Sequence, residues 1–347
     1  MMKCRKGLRA SENKVLAGVG TVLVPVLFVL IAAALTPLSG QLKVHVDLVS
    51  VNVSVSGSDG RGVYGLSADD FVLVEDGIPQ EIVGFDSSSE PFDLVLVIDS
   101  SKSTGGRAKW GFRTLDGLFQ SLPSNYSICI VEAGDRVYSH GGFTENRRDL
   151  RRTVRNLRVS GTPGTRLYDA IDESLDLLGK GGERNALLIV SDGIDIGSRL
   201  GFEAVHDRIR AAAVTTHVIA IDNQTEYVDQ LRKSRRGFSD RDLVSIQIKT
   251  LIANSAELYR DAHGRLEELA ADSGGRFYSA TSRKDLATRS TSLAHELSAT
   301  YTLRYYSHRM SVPATGDFKG IEVQMRSPSL EAHARPGYSL EATFHHK

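Results

Sequence analysis

The sequence predicts an α/β protein. A doubly wound, mainly parallel sheet should carry helices on both faces, with a β-sandwich-like module beside it and one N-terminal helix, a transmembrane span or a signal. Three observations predict this. From Phe92 onward, apolar runs of strand length alternate with amphipathic stretches of helix length, the pattern of a wound sheet. Residues 42–90 and the tail after Tyr301 instead alternate with period two, as half-buried strands do. The first forty residues place five cations ahead of a long uncharged run.

That run opens the chain. Lys3, Arg5, Lys6, Arg9 and Lys14 precede an uncharged segment whose apolar core spans Val15 to Leu35. Positive charge before an apolar segment keeps the N-terminus in the cytoplasm and sends the rest across. The core exceeds the roughly 7–15 residues of a signal-peptide core. It comes close to the ~20 residues of a spanning helix. Residues 1–40 are therefore a signal-anchor helix, seated at 15–35, or a cleaved signal. Either makes the remainder extracytoplasmic, periplasmic or secreted. Cys4 and Cys129, the two cysteines, then lie on opposite sides of a membrane or on separate products, so no disulfide is expected. Cys129 reads as a small buried hydrophobe.

Residues 42–90 read as the β module. Val44, Val46, Leu48, Val51, Val53 and Val55 nearly alternate, with a slip around Ser50 that predicts a bulge. Leu66 to Phe71 reads as a capped helical turn, Phe71 to Gly77 as strand and tight turn, and Gln80 to Phe85 as the return strand. Strands at Tyr301–Tyr306, Gly320–Met325 and Leu330–Ala334 make only a marginal sheet on their own. They are expected to complete the module, so that 42–90 and 301–340 form one discontinuous domain around an α/β domain at 92–300.

Within 92–300, strands are expected at Asp93–Asp99, Ser127–Ala133, Ala186–Ser191, Thr216–Ile221 and Arg276–Ser279, with a hairpin partner at Arg136–Ser139. Helices are expected at Lys109–Gln120, Arg147–Asn156, Leu167–Leu178, Gly201–Ala213, Ala262–Asp272 and Lys284–Ala299. An insertion at 223–261 breaks the rhythm with the basic run Arg232-Lys233-Ser234-Arg235-Arg236 and a helical stretch around Ile246–Tyr259. It reads as a solvated loop or as a contact for an anionic partner, lipid headgroups included.

The 42 basic and 42 acidic residues balance, so bulk charge gives no reason to expect nucleic acid as a partner. The chemistry concentrates elsewhere. Asp99-Ser100-Ser101-Lys102-Ser103 follows directly on the buried run Leu94 to Ile98, and the carboxyl ends of strands are where open α/β sheets bind ligands. Gly164-Thr165 opens a helix, and Leu187 to Ser191 ends in Asp192-Gly193. If those two strands are neighbours, Asp99, Ser101, Ser103, Thr165 and Asp192 converge. Oxygen-only donors suit a hard cation, Mg²⁺ first, with Mn²⁺ or Ca²⁺ as alternatives. Three hydroxyls neutralise none of its charge, so such an ion still seeks an external anion, most simply a partner's carboxylate.

These residues resemble the von Willebrand factor type A domain and its metal-ion-dependent adhesion site: Asp-x-Ser-x-Ser, a distant Thr, then a strand-terminal Asp-Gly. The resemblance spans about 92–300. It implies that Ser101, Ser103 and Thr165 contact the metal, while Asp99 and Asp192 act mainly through waters and hydrogen bonds. More narrowly, the chain is similar to bacterial secreted proteins described as von Willebrand factor A-related, Acidobacteria type. Gly65-Leu66, Asp70-Phe71 and Glu75-Asp76-Gly77 carry that similarity, with Tyr301–Tyr306 and Arg335–Tyr338. Lys102 departs from the Gly common in those relatives. Its ammonium either competes with the cation, points to solvent, or meets the partner's carboxylate beside the metal.

Asp169 reads as an acid favoured at a helix N-terminus, and Asp195 as a candidate neighbour of the site. The leading functional reading is an extracytoplasmic adhesion module that binds a protein partner through the metal. The alternative is a scaffold with a vestigial site. An enzyme is not expected: there is no Gly-x-Ser-x-Gly elbow, no second acidic strand end with phosphatase-like Asp-x-Asp spacing and no evident His partner.

Overall fold

The computed structural model describes residues 45–87, 89–101, 115–157, 164–180, 184–212, 214–309 and 318–339. The segment expected to anchor or export the chain lies outside them, as do Lys102, Ser103 and the start of the helix expected from Lys109. Among the described residues, no helix is long and apolar enough to cross a membrane.

The central sheet has six strands: β5 (Phe92–Asp99), β6 (Tyr126–Ala133), β7 (Val137–Ser139), β8 (Asn185–Ser191), β9 (Thr215–Ile221) and β10 (Phe277–Ala280). Their order is β10-β9-β8-β5-β6-β7. All pair in parallel except β7, which folds back antiparallel on β6. β5 is branched and aliphatic on both sides, and its pleat sorts these residues between two cores. Phe92, Leu94, Leu96 and Ile98 join one core with α1 (Asp116–Ser121), α2 (Arg147–Asn156) and α7 (Arg283–Ser298). Val95 and Val97 join the other with α3 (Leu167–Leu178), α4 (Phe202–Ala212) and the end of α6 (Leu243–Asp272). Helices thus cover both faces, as expected. Cys129 is buried and free.

Two four-stranded antiparallel sheets account for the other strands. One has the order β13-β1-β11-β4 and contains β1 (His45–Gly57), β4 (Gly84–Asp86), β11 (Thr300–Arg309) and β13 (Leu330–Ala334). The second has the order β14-β12-β2-β3 and contains β2 (Phe71–Glu75), β3 (Ile78–Gln80), β12 (Phe318–Met325) and β14 (Gly337–Ser339). Val49, Val51, Val53, Val55, Phe71, Leu73, Tyr301, Leu303, Tyr305 and Ile321 form one core from both. Glu75 of β2 ties it by accepting hydrogen bonds from the hydroxyls of Tyr305, Ser307 and Tyr338 at 2.8–2.9 Å.

Several local expectations need correction. β1 pairs with β11 in unbroken register from His45 to Ser54, with no bulge at Ser50. The slip in the pattern arises because Leu48 faces solvent, 51% exposed. The return strand is Ile78–Gln80; the chain then crosses to the other sheet at Gly84–Asp86. The expected helix at Ala262–Asp272 is only the last third of the 30-residue α6, which absorbs the helical stretch of the insertion. The basic run lies at the end of a further helix, α5 (Gln224–Ser234).

Arg184, 5% exposed, stitches the start of β8 to β11. Its guanidinium donates to the carbonyls of Glu90 (2.7 Å) and Thr300 (2.8 Å) and to the Thr302 hydroxyl (3.2 Å).

Candidate functional site

In the strand order, β5 and β8 are adjacent, and the chain winds outward in opposite directions from them. That is the switch point where a wound sheet opens a crevice at the carboxyl ends. Asp99 closes β5 there and Asp192 follows β8. Asp99, Ser101, Thr165 and Asp192 are all within 1% of complete burial.

Asp99 sits in a net of neutral donors. Its Oδ1 accepts from the Ser101 amide at 2.8 Å, and its Oδ2 from the Ser191 hydroxyl at 2.6 Å. Burial pushes this carboxyl upward from the usual range, and the charge of Asp195 adds to that; the bonds from Ser101 and Ser191 oppose it. Ser191 in turn accepts from the Gly193 amide at 2.9 Å. Asp192 Oδ1 accepts from the Ile194 amide at 3.1 Å, and Oδ2 from the Asn223 side chain at 3.4 Å.

Thr165 reaches this edge through β6. The Arg166 amide donates to the carbonyl of Gly134, while the Ser100 amide donates to Ala133, each at 2.9 Å. Two consecutive carbonyls at the end of β6 thus hold the Ser100–Ser101 turn and the Thr165 turn beside each other. The loop after β8 clamps the Thr165 carbonyl with the amides of Ile196 and Gly197.

The two further acids have structural work. Asp195 caps α3, accepting from the amides of Leu167 (2.8 Å) and Tyr168 (3.3 Å), as capping carboxylates do. Asp169 pairs with Arg166 and accepts from the amides of Arg199 and Leu200. One side of the crevice is apolar: Ile194, Tyr259 and Ala262, with Tyr227 packed on them. Burial raises both tyrosine hydroxyl pKa values, and the Asp192 charge raises them further.

The structure therefore places Asp99, Ser101, Thr165 and Asp192 at one edge. Ser103 and Lys102 lie outside the described residues. Sequence reasoning missed Ser191 and Asn223. Both end or follow apolar strands, and a polar residue at a strand's carboxyl end was the available signal.

A second group of possible ligands, His206, Glu268 and Asp272, brings one atom from each residue within 4.8 Å of the others. Asp272 is already shared by His206 (2.9 Å) and the Arg210 guanidinium. A cation there would compete with an arginine, so this is an ion-pair network joining α4 to α6.

Residues 93–240 match the family model for the von Willebrand factor type A domain. No curated protein matches the chain. Among solved structures, BatB from Bacteroides thetaiotaomicron is 14% identical, over 58% of this chain and 97% of that one, with a TM-score of 0.41. The domain of the type V pili tip protein Mfa5 from Porphyromonas gingivalis is 14% identical, over 59% and 94%, with a TM-score of 0.40. A von Willebrand factor type A protein from Catenulispora acidiphila is 9% identical, over 84% and 72%, with a TM-score of 0.45. With the wound sheet and its switch-point acids in place, residues 93–240 of this chain are a von Willebrand factor type A domain.

Proposed function

We propose that this protein is an extracytoplasmic interaction module. It holds a divalent cation of the Mg²⁺ type at Asp99, Ser101, Ser103, Thr165 and Asp192 and captures a carboxylate from a protein partner. One observation carries the reading: two aspartates and two hydroxyl residues, distant in sequence, lie fully buried at the single edge where the sheet's winding reverses.

The donor set fits a hard cation. Its described side chains offer carboxylate and hydroxyl oxygen, which suit Mg²⁺, Mn²⁺ and Ca²⁺ and not thiophilic metals. The ion would supply Lewis acidity toward an incoming carboxylate. The chain's own residues do the rest: Ser191 and the Ser101 amide orient Asp99, and the paired carbonyls of Ala133 and Gly134 set the hydroxyl turns. Tyr259, Ile194 and Ala262 form an apolar wall that limits water on one side. No covalent step is required, and binding is reversible.

In this assignment residues 1–40 export or anchor the chain. Residues 42–90 and 301–340 form a β-sandwich module, supported by their shared core, and 92–300 form the binding domain. The chain resembles the Acidobacteria-type secreted proteins in this arrangement. Calorimetric titration with Mg²⁺ tests the proposal, with Thr165→Ala alongside. One ion per wild-type chain is expected, with affinity at least tenfold weaker in the variant. No heat and no change in melting temperature for the wild type would remove the metal mechanism and leave the scaffold reading, in which the β module docks a neighbour.

A further inference from the structure

Helices α5 and α6 make a hairpin that leaves the domain. The C-terminal part of α6 is anchored: Leu266, Leu269 and Ala270 are buried against the sheet, and Tyr259 and Ala262 against the site. From Leu243 to Tyr259 the helix rises through 16 steps, roughly 24 Å at 1.5 Å per residue. Over that length few residues are buried, and α5 has none.

The turn of the hairpin has an unusual surface. Phe238, Leu243, Val244 and Ile246 stand exposed, Leu243 by 78%. Around them lie Arg232, Lys233, Arg235, Arg236, Arg241 and Lys249, against only Asp240 and Asp242. That is a net charge of +4 over residues 232–249, in a chain whose total is zero. Asp240 is taken by Arg235 (2.7 Å) and Lys249 (2.8 Å). Lys233, Arg236 and Arg241 are exposed and make no ion pair with a described residue.

We propose that this tip docks on an anionic lipid surface, with Phe238, Leu243, Val244 and Ile246 entering the headgroup–acyl boundary and the basic collar meeting lipid phosphates. Interfacial helices pair an apolar face with Lys and Arg in this way, and long cationic side chains keep their heads in the polar layer while their stems lie along the apolar part. The placement favours a membrane over an acidic protein, because the exposed apolar residues cluster at the turn of a hairpin whose flanking helices bury few residues there. A second copy of the chain is disfavoured. Val244, Leu251 and Leu258 form a seven-residue stripe that would suit helix pairing, but that pairing leaves Phe238 and the collar unused and sets two +4 tips against each other. The proposal stands apart from the metal site, so either can fail alone.

The test uses the full chain carrying Phe238→Trp, reconstituted in vesicles, with the unsubstituted chain as reference for Trp110. Vesicles contain either phosphatidylcholine alone or an equal mixture with phosphatidylglycerol, and brominated acyl chains serve as quenchers. The added emission is expected to shift to the blue and be quenched in the anionic vesicles only. Each neutralisation among Lys233, Arg236 and Arg241 to Gln should lower the inserted-to-free ratio by roughly fivefold, since one basic side chain near an anionic surface contributes about that factor. Circular dichroism checks that the exposed substitutions leave the helices intact. Emission like that of a water-exposed indole in both vesicle types overturns the proposal. A blue shift without bromine quenching that grows with protein density assigns the tip to a second copy and overturns it equally.

Discussion

Asp99→Asn separates the cost of burying a carboxylate from the benefit of binding a cation to it. In the chain without metal, Asp99 is 1% exposed and held by two neutral donors, the Ser101 amide at 2.8 Å and the Ser191 hydroxyl at 2.6 Å. Burying a charge without a countercharge is costly. Asparagine is nearly the same shape, keeps an acceptor for the Ser101 amide and carries no charge. In chelator the variant is therefore expected to be at least as stable as wild type. With metal the order reverses. A ligand at a hundred times its Kd stabilises the folded state by about 2.7 kcal/mol. At about 2 °C per kcal/mol for a domain of this size, that raises the melting temperature by about 5 °C. Wild type should show this rise in excess Mg²⁺, and Asp99→Asn should lose most of it. Melts followed by circular dichroism, in chelator and in Mg²⁺, read both signs. If the variant is destabilised in chelator and keeps the metal-linked rise, the Asp99 carboxylate is a structural group and the reasoning fails.

Gly193 sits at φ +80°, and a Cβ there would lie 2.9 Å from both the Ala262 carbonyl oxygen and the Leu266 side chain. Gly193→Ala should therefore cost about 3 kcal/mol, from positive φ and from overpacking against α6, seen as a lower denaturation midpoint. Arg184→Met leaves the buried Thr300 carbonyl and Thr302 hydroxyl without this donor, while the Glu90 carbonyl keeps a bond from the Asn125 side chain. It should lower stability by about 2–4 kcal/mol and loosen the seam between β8 and β11, measured by urea unfolding and hydrogen exchange. His217 is buried, and burial lowers its pKa to about 4 against the opposing pull of Glu296. The unfolded chain therefore binds a proton between pH 6.5 and 4 that the folded chain refuses. Stability should be full above pH 6.5 and fall as pH drops through that window. His217→Gln should flatten that part of the profile, and an unchanged slope would place the acid sensitivity elsewhere.

The wound sheet was legible because each parallel strand is buried on both faces and reads as a continuous apolar run bounded by turns. The site was legible for the same reason: a carboxylate ending such a run, as at Asp99 and Asp192, has few places to go but the strand's carboxyl end. Other features were hidden by physics that pattern does not carry. Leu48 mimicked a bulge, because an exposed leucine and a shifted register look alike in a list of residues. Ile78–Gln80 is too short and too polar to announce itself as a strand. The length of α6 was obscured because its first half packs mainly on α5, so it lacks the broad apolar face that marks a core helix. Ser191 and Asn223 act on Asp99 and Asp192 through hydrogen bonds whose partners are distant in the chain.

The central claim is that a bound cation keeps a coordination position for an outside carboxylate. Mn²⁺ in place of Mg²⁺ lets the relaxation of water protons report its exchangeable waters. The account predicts one tight Mn²⁺ per chain with enhanced relaxation that falls as an acidic peptide is added, and no tight site in Asp192→Ala. Enhancement that is absent from wild type, or that an acidic peptide leaves unchanged, would contradict it.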